Sequence, residues 1–286
     1  MATINWYPGH MAKSRRMLIE QMRAVDAVIE LCDARAPYAT RNPDLDALCK
    51  GKQRILILNK ADLAEERRTR QWMDYFRSQG LDAVKFNANG GKAKEVLAPI
   101  QRATQAEVER MKARGVNKTV RLMVIGIPNV GKSTFINRLY GSNVTKASDR
   151  PGVTRAKQWV KVGNYLELLD TPGMLWPKLE DQRVAQELAF LGSVRDQILD
   201  GEELAGALLT RLMAVAPEAT AARFKIRTEE GEEPLPERLL ELACKGRGWL
   251  LSGARPDTAR GAALVLDEFR SGKVGRITLD QVPERL

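Results

Sequence analysis

The chain has 286 residues, 44% of them hydrophobic, which suits one large domain or two ordinary ones and excludes wholesale disorder. No run approaches the ~18 apolar residues of a membrane span, residues 1–10 lack a secretory pattern, and Cys32, Cys49 and Cys244 are too few and too scattered for a disulfide framework or a zinc site, so a reducing cytoplasm and no membrane partner are expected. The formal net charge of +10 calls for an anionic partner, nucleic acid by default, and it is uneven: residues 1–177 hold 30 Lys+Arg against 17 Asp+Glu, residues 178–286 hold 16 against 19.

In chain order, the apolar runs 25–33, 54–58, 82–86 and 120–125 read as buried strands. Helical stretches at 64–79, 92–114 and 132–140 separate or follow them. Strands alternating with helices predict an α/β fold with a mostly parallel sheet covered on both faces. Residues 158–170 differ: two short apolar segments flank Gly163-Asn164, the signal of a hairpin. After Pro177 the strand pattern stops. Leu204, Leu208 and Leu212, and again Leu235, Leu239 and Leu242, recur at helical spacing, so residues 178–286 are expected to form a small all-α domain behind an α/β domain of residues 1–177.

Gly126-Ile127-Pro128-Asn129-Val130-Gly131-Lys132-Ser133 matches the phosphate-loop pattern G-x-x-x-x-G-K-[ST], with a strand before it and a helix after it. Its glycines let the backbone curl until the N–H groups of residues such as Asn129, Val130, Gly131 and Thr134 face phosphate oxygens. Lys132 would reach the β- and γ-phosphates and the Ser133 hydroxyl would ligate Mg²⁺. Asn59-Lys60-Ala61-Asp62 follows the strand 54–58 and matches N-K-x-D. A carboxylate at a buried Asp62 accepts both hydrogen bonds offered by the N1–H and the exocyclic amine of guanine; adenine would leave it unpaired. Asn59 is expected to tie this loop to the phosphate loop and the Lys60 stem to lie over the base. Asn87-Ala88 follows the next strand, where a second guanine-contacting loop belongs, although the usual serine and lysine are absent. Asp170-Thr171-Pro172-Gly173 is D-x-x-G: Asp170 would hold Mg²⁺ and the Gly173 N–H would sense the γ-phosphate. Thr154, in the basic loop 143–157, is a second Mg²⁺ ligand or a plain loop threonine.

Most GTPases carry the phosphate loop first and N-K-x-D late. Here the order is N-K-x-D, guanine loop, phosphate loop, switch I, D-x-x-G, a circular permutation that rebuilds the same site from a re-cut chain. D-x-x-G then leads straight into the helical region, a physical reason to expect nucleotide-controlled orientation of that region. This order, the opening Trp6-Tyr7-Pro8-Gly9-His10-Met11, the segment Asp33-Ala34-Arg35-Ala36-Pro37 and the phosphate loop with Asn129 resemble the ribosome biogenesis GTPase A (YlqF-type) family over essentially the whole chain. The resemblance implies a P-loop GTPase fold, GTP and GDP as ligands, and a monomeric factor acting on a large (50S) ribosomal subunit precursor and its rRNA, with no DNA partner. The runner-up is a GTP-gated module for a protein or tRNA client in which hydrolysis is incidental.

The water-orienting glutamine that many GTPases place after the D-x-x-G glycine is here Met174, which can orient nothing. His10 is the only histidine, and in the family this histidine is the proposed catalytic group; the alternative is a structural or RNA-contacting role. Asn129 carries two readings as well: an oxygen ligand for K⁺ beside the phosphates, as in similar K⁺-using loops, or a loop-capping asparagine.

Overall fold

The computed structural model describes residues 9–116, 119–141, 159–162, 166–171, 181–194, 200–228 and 233–283, without the side chains of 9–15 and 170. Helix α1 (Gly9–Met22) leads into β1 (Ala27–Asp33), α2 (Asp44–Leu48), β2 (Gln53–Asn59), α3 (Glu66–Ser78), β3 (Asp82–Lys85), α4 (Lys94–Ala113), β4 (Val120–Ile125), α5 (Lys132–Gly141), β5 (Trp159–Val162) and β6 (Leu166–Asp170). Among the described residues the α-helices that follow are α6 (Gln182–Phe190), α7 (Gly201–Val215), α8 (Pro217–Phe224), α9 (Pro236–Arg247) and α10 (Thr258–Arg270).

The six strands form one sheet in the order β3-β2-β1-β4-β6-β5. All neighbours are parallel except the β5–β6 hairpin. Period-two alternation covers both faces. Val28 on β1 and Met123 and Ile125 on β4 meet Leu18 and Met22 of α1, and Leu56 and Leu58 of β2 meet Trp72 and Phe76 of α3. The opposite set, Ile29, Leu31, Ile55, Ile57, Leu122 and Val124, meets Val96 and Ile100 of α4 and Phe135, Ile136 and Leu139 of α5. A strand buried on both faces is a continuous apolar run, which is why 54–58 reads so clearly in the sequence. The one charged interior position of β1, Glu30, faces Arg41 at 3.3 Å and Arg54 at 3.7 Å; burial raises its pKa against both cations.

Helices α7, α9 and α10 pack on one another, with Leu204, Leu208, Leu212, Leu239, Leu240, Val265 and Phe269 in their interior. Asp200 and Asp257 cap α7 and α10 by accepting backbone N–H groups of their first turns. The helices end with α10 at Arg270. Beyond it, residues 271–283 form no helix and run back over the sheet region: the Ile277 N–H donates to the Leu63 carbonyl, Leu279 N–H to the Arg35 carbonyl, and the Asp280 carboxylate accepts the N–H groups of Tyr38 at 2.6 Å and Ala39 at 3.0 Å. Glu187 of α6 is buried, with the Arg211 guanidinium 3.5 Å away; burial, reinforced by the neighbouring Asp280, pushes its pKa up to about 9. No helix among the described residues is long and apolar enough to cross a membrane.

Candidate nucleotide-binding site

The chain runs β1→β2→β3 to one side of β1, then crosses to lay β4 on the other side. In an open α/β sheet, the crevice at the carboxyl ends of two such strands is where ligands bind. β1 ends at Asp33, beside Asn59 in the register, and β4 runs into Gly126.

The phosphate loop curls between β4 and α5. Two glycines are required by contact as well as by conformation. A Cβ on Gly126 would lie 2.6 Å from the Leu31 carbonyl oxygen, and one on Gly131, whose φ is +93°, would lie 2.5 Å from Asn59 Nδ2. The Lys132 ammonium sits inside the curl, 3.0 Å from the Gly126 carbonyl and 2.8 Å from that of Ile127. Ser133 and Thr134 are exposed in the first turn of α5, where free N–H groups and the helix field favour an anion.

Asn59 joins three loops. Its Nδ2 donates to the Val130 carbonyl at 2.8 Å, and its Oδ1 accepts the Ala88 N–H at 3.0 Å. The structure thus brings N-K-x-D, the guanine loop and the phosphate loop together through one buried side chain. Lys60, at φ +58°, reaches the Asn129 carbonyl at 2.7 Å and the Asp33 carboxylate at 2.9 Å. The Ala61 N–H donates to the Phe86 carbonyl, and the Asn87 side chain accepts the N–H groups of Asn89 and Gly90, shaping the loop after β3. Asp62 differs from its sequence reading: it is exposed rather than buried.

Sequence reasoning missed three contributors. Arg138 of α5 donates from Nε to the Ala88 carbonyl at 2.9 Å and from its other nitrogen to Asn89, fixing the guanine loop from the helix behind the phosphate loop. Asp33 and Arg35, noticed only as part of a resemblance, form a buried ion pair of 2.9 Å. Burial alone raises the Asp33 pKa, but Arg35 and Lys60 overcome it and hold this carboxyl well below the usual carboxylate range. Gly192 and Ser193, just after α6, touch the phosphate loop: Asn129 Nδ2 donates to the Gly192 carbonyl at 2.5 Å and Ser193 Oγ to the Pro128 carbonyl at 2.9 Å. No local pattern marks Arg138, Gly192 or Ser193, because their partners lie far away in sequence, and the burial that gives the neighbouring Asp33 and Arg35 their meaning is likewise set by distant segments. Asn129 thus makes a contact that neither sequence reading names, a strut to the segment after α6.

The register places Asp170 beside Val124, two residues before Gly126, and Thr171 Oγ1 donates to the Val124 carbonyl at 2.6 Å. Serine and aspartate carry hard oxygen donors of the kind Mg²⁺ takes, and the backbone register sets the end of β6 beside β4, which leads into the loop of Ser133. Thr154, Gly173 and Met174 lie outside the described residues, as do the side chain of His10, in the first turn of α1, and the basic loop 143–157 apart from its neighbours.

A family model described as "50S ribosome-binding GTPase" matches residues 121–212, from β4 through α7. The chain is 44% identical to Ribosome biogenesis GTPase A of Priestia megaterium over 99% of this chain and 98% of that protein. It is 43% identical to the protein of that name in Bacillus cereus over 98% and 95%. Among solved structures, a GDP-bound YlqF matches with a TM-score of 0.66 at 28% identity, covering 93% of this chain and 99% of that one. With relatives this similar over nearly their whole length, the chain belongs to the ribosome biogenesis GTPase A family.

Proposed function

We propose that the chain binds GTP across the carboxyl edge of β2, β3, β4 and β6, hydrolyses it to GDP and phosphate, and uses the cycle to engage and leave a precursor of the large ribosomal subunit. The observation that carries the site is Asn59, whose two hydrogen bonds hold the guanine loop and the phosphate loop to one point. Asp62 selects guanine, and Ala88, fixed through its N–H by Asn59 and through its carbonyl by Arg138, presents the backbone beside the base. The N–H groups of Val130 to Thr134 and the Lys132 ammonium bind the β- and γ-phosphates and draw off the negative charge that grows on them as the terminal P–O bond breaks. Ser133, Asp170 and Thr154 are the residues to hold Mg²⁺, which when bound neutralises phosphate charge. Gly173 senses the γ-phosphate and passes its state to the helical region.

The attacking water is not placed by the residue after Gly173, since Met174 has no suitable atom. His10 orients that water, or the Asn129 oxygen helps to hold K⁺ beside the phosphates. Turnover by the isolated chain is therefore slow, and the particle stimulates it. The basic excess of residues 1–177 faces rRNA in a monomer, and such contacts weaken as salt rises.

The test is cosedimentation of the protein with large-subunit precursors in a GTP analogue and in GDP, followed by single-turnover hydrolysis in K⁺ and in Na⁺. Retention with the analogue, release with GDP and particle-dependent acceleration are expected. Equal retention in both nucleotides contradicts the proposed cycle.

A further inference from the structure

The Asp33-Ala34-Arg35-Ala36-Pro37 segment has no part in the mechanism above, yet it sits at the centre of a closed ring of polar contacts. Arg35 donates from Nε and from one terminal nitrogen to the two Asp33 oxygens at 3.0 and 2.9 Å. Its other terminal nitrogen donates to the carbonyls of Phe269 and Arg270, both at 3.1 Å. Those carbonyls lie at the C-terminal end of α10, where helix carbonyls have no partner in their own helix and the dipole favours a cation. Arg270 in turn donates to the carbonyls of Phe190 and Ala189 at the end of α6. Gly192 and Ser193, the next residues along, meet Asn129 and Pro128. The ring closes through Lys60, which joins the Asn129 carbonyl to Asp33.

Asp33 and Arg35 are each about 2% exposed, while Lys60 is 22% exposed and faces the nucleotide edge. Lys60 holds a positive φ that its own side chain does not favour, so its direction depends on the two acceptors at its tip. A planar guanidinium is the group that can grip a carboxylate with two nitrogens and still donate elsewhere. A lysine at position 35 could satisfy only part of this set.

We propose that Asp33 and Arg35 are positioning residues of the guanine site: Asp33 aims Lys60 across the base, and Arg35 ties that aim to the last turn of α10, so that guanine occupancy and the seating of the helical region are coupled by a route separate from D-x-x-G. The proposal rests on the assignment of Asn59–Asp62 to guanine. Nucleotide that loads the Lys60 tip changes its hold on Asp33, and Arg35 carries the change to the Phe269 and Arg270 carbonyls.

The test is a double-mutant cycle on GDP affinity, with Asp33→Asn, which keeps the volume, and Lys60→Met, which keeps the stem. Each single variant is expected to weaken GDP binding about tenfold, the scale of losing a charged hydrogen bond, and the double variant no more than Lys60→Met alone. Losses that multiply in the double variant, or normal affinity in Asp33→Asn alone, overturn the positioning role. Normal affinity in Lys60→Met discards the guanine assignment itself, and the proposal with it. Should Asp33→Asn fail to fold, the same cycle is run with Arg35→Lys. Hydrogen exchange reads the other arm: GDP is expected to slow exchange at the amides of residues 271–273 in the wild type, with at least a fivefold smaller effect in Arg35→Lys. An equal effect in both overturns the coupling to α10.

Discussion

The carboxyl edge of the sheet and the helical region are held together by different forces. At the edge, single polar side chains span long stretches of chain: Asn59 to Val130 and Ala88, Lys60 to Asn129, Arg138 to Ala88. Among α7, α9 and α10 the contacts are mainly leucine, valine and phenylalanine side chains, with one buried carboxylate, Glu268 of α10, held by Arg247 of α9 and Arg223 of α8. Apolar burial is tolerant in direction and strong in sum; hydrogen bonds are directional and individually modest. An edge built from the second kind of contact can be rearranged by a ligand at smaller cost than the packed interior of the helices.

Substitutions can break this comparison. The largest effect is expected from Lys132→Ala, which should lower GTP turnover by at least about a hundredfold, since it removes a preorganised cation from the developing charge. Single-turnover hydrolysis at saturating GTP measures it, and a variant that hydrolyses normally would mean that the phosphate loop is misassigned. Leu208→Ala opens a cavity in α7 at a fully buried position and should cost about 2–5 kcal/mol of stability with nucleotide affinity almost unchanged. Urea unfolding paired with nucleotide titration separates the two; a large affinity loss would mean that bundle and edge are not mechanically distinct.

A smaller effect sharpens the seam between the regions. Glu187 has its pKa raised from an ordinary 4.5 to about 9 by burial and by Asp280. The folded state therefore binds this proton more tightly than the unfolded one. Its contribution to stability is complete below about pH 4.5 and is lost progressively as pH rises toward about 9. Glu187→Gln keeps the shape and needs no proton, so it should flatten the decline in stability over that window relative to wild type. Thermal unfolding of the two proteins at intervals across it is the check; parallel curves would show that Glu187 is ionised in the folded protein.

How much of this was visible beforehand follows from the same contrast. The strands, their helices and the hairpin are written in local periodicity, and the structure reproduces 54–58 as β2 and 120–125 as β4 nearly to the residue. The loops that carry Lys132 and Asn59 are legible because phosphate and guanine chemistry demand particular residues next to one another. The seam is not legible. Arg35 and Phe269, or Tyr38 and Asp280, are more than two hundred residues apart, and neither partner interrupts a local pattern. Helix α1 is illegible for another reason: it opens inside the motif of residues 6–11, and no strong helical periodicity of apolar residues precedes Leu18 and Met22, its described core contacts. The exposure of Asp62 could not be read from a tetrapeptide, because it depends on what the finished edge leaves open.

The claim on which everything else depends is that a permuted chain rebuilds a guanine site around Asp62. The direct measurement is the affinity of wild type and Asp62→Asn for GDP and for xanthosine diphosphate. Xanthine replaces the guanine amine by a carbonyl, so an asparagine donor suits it where a carboxylate does not. Wild type should prefer GDP, and Asp62→Asn should weaken GDP binding while gaining affinity for the xanthine nucleotide. A variant that keeps the wild-type order of preference would show that the base is read elsewhere, and the site drawn here would be wrong.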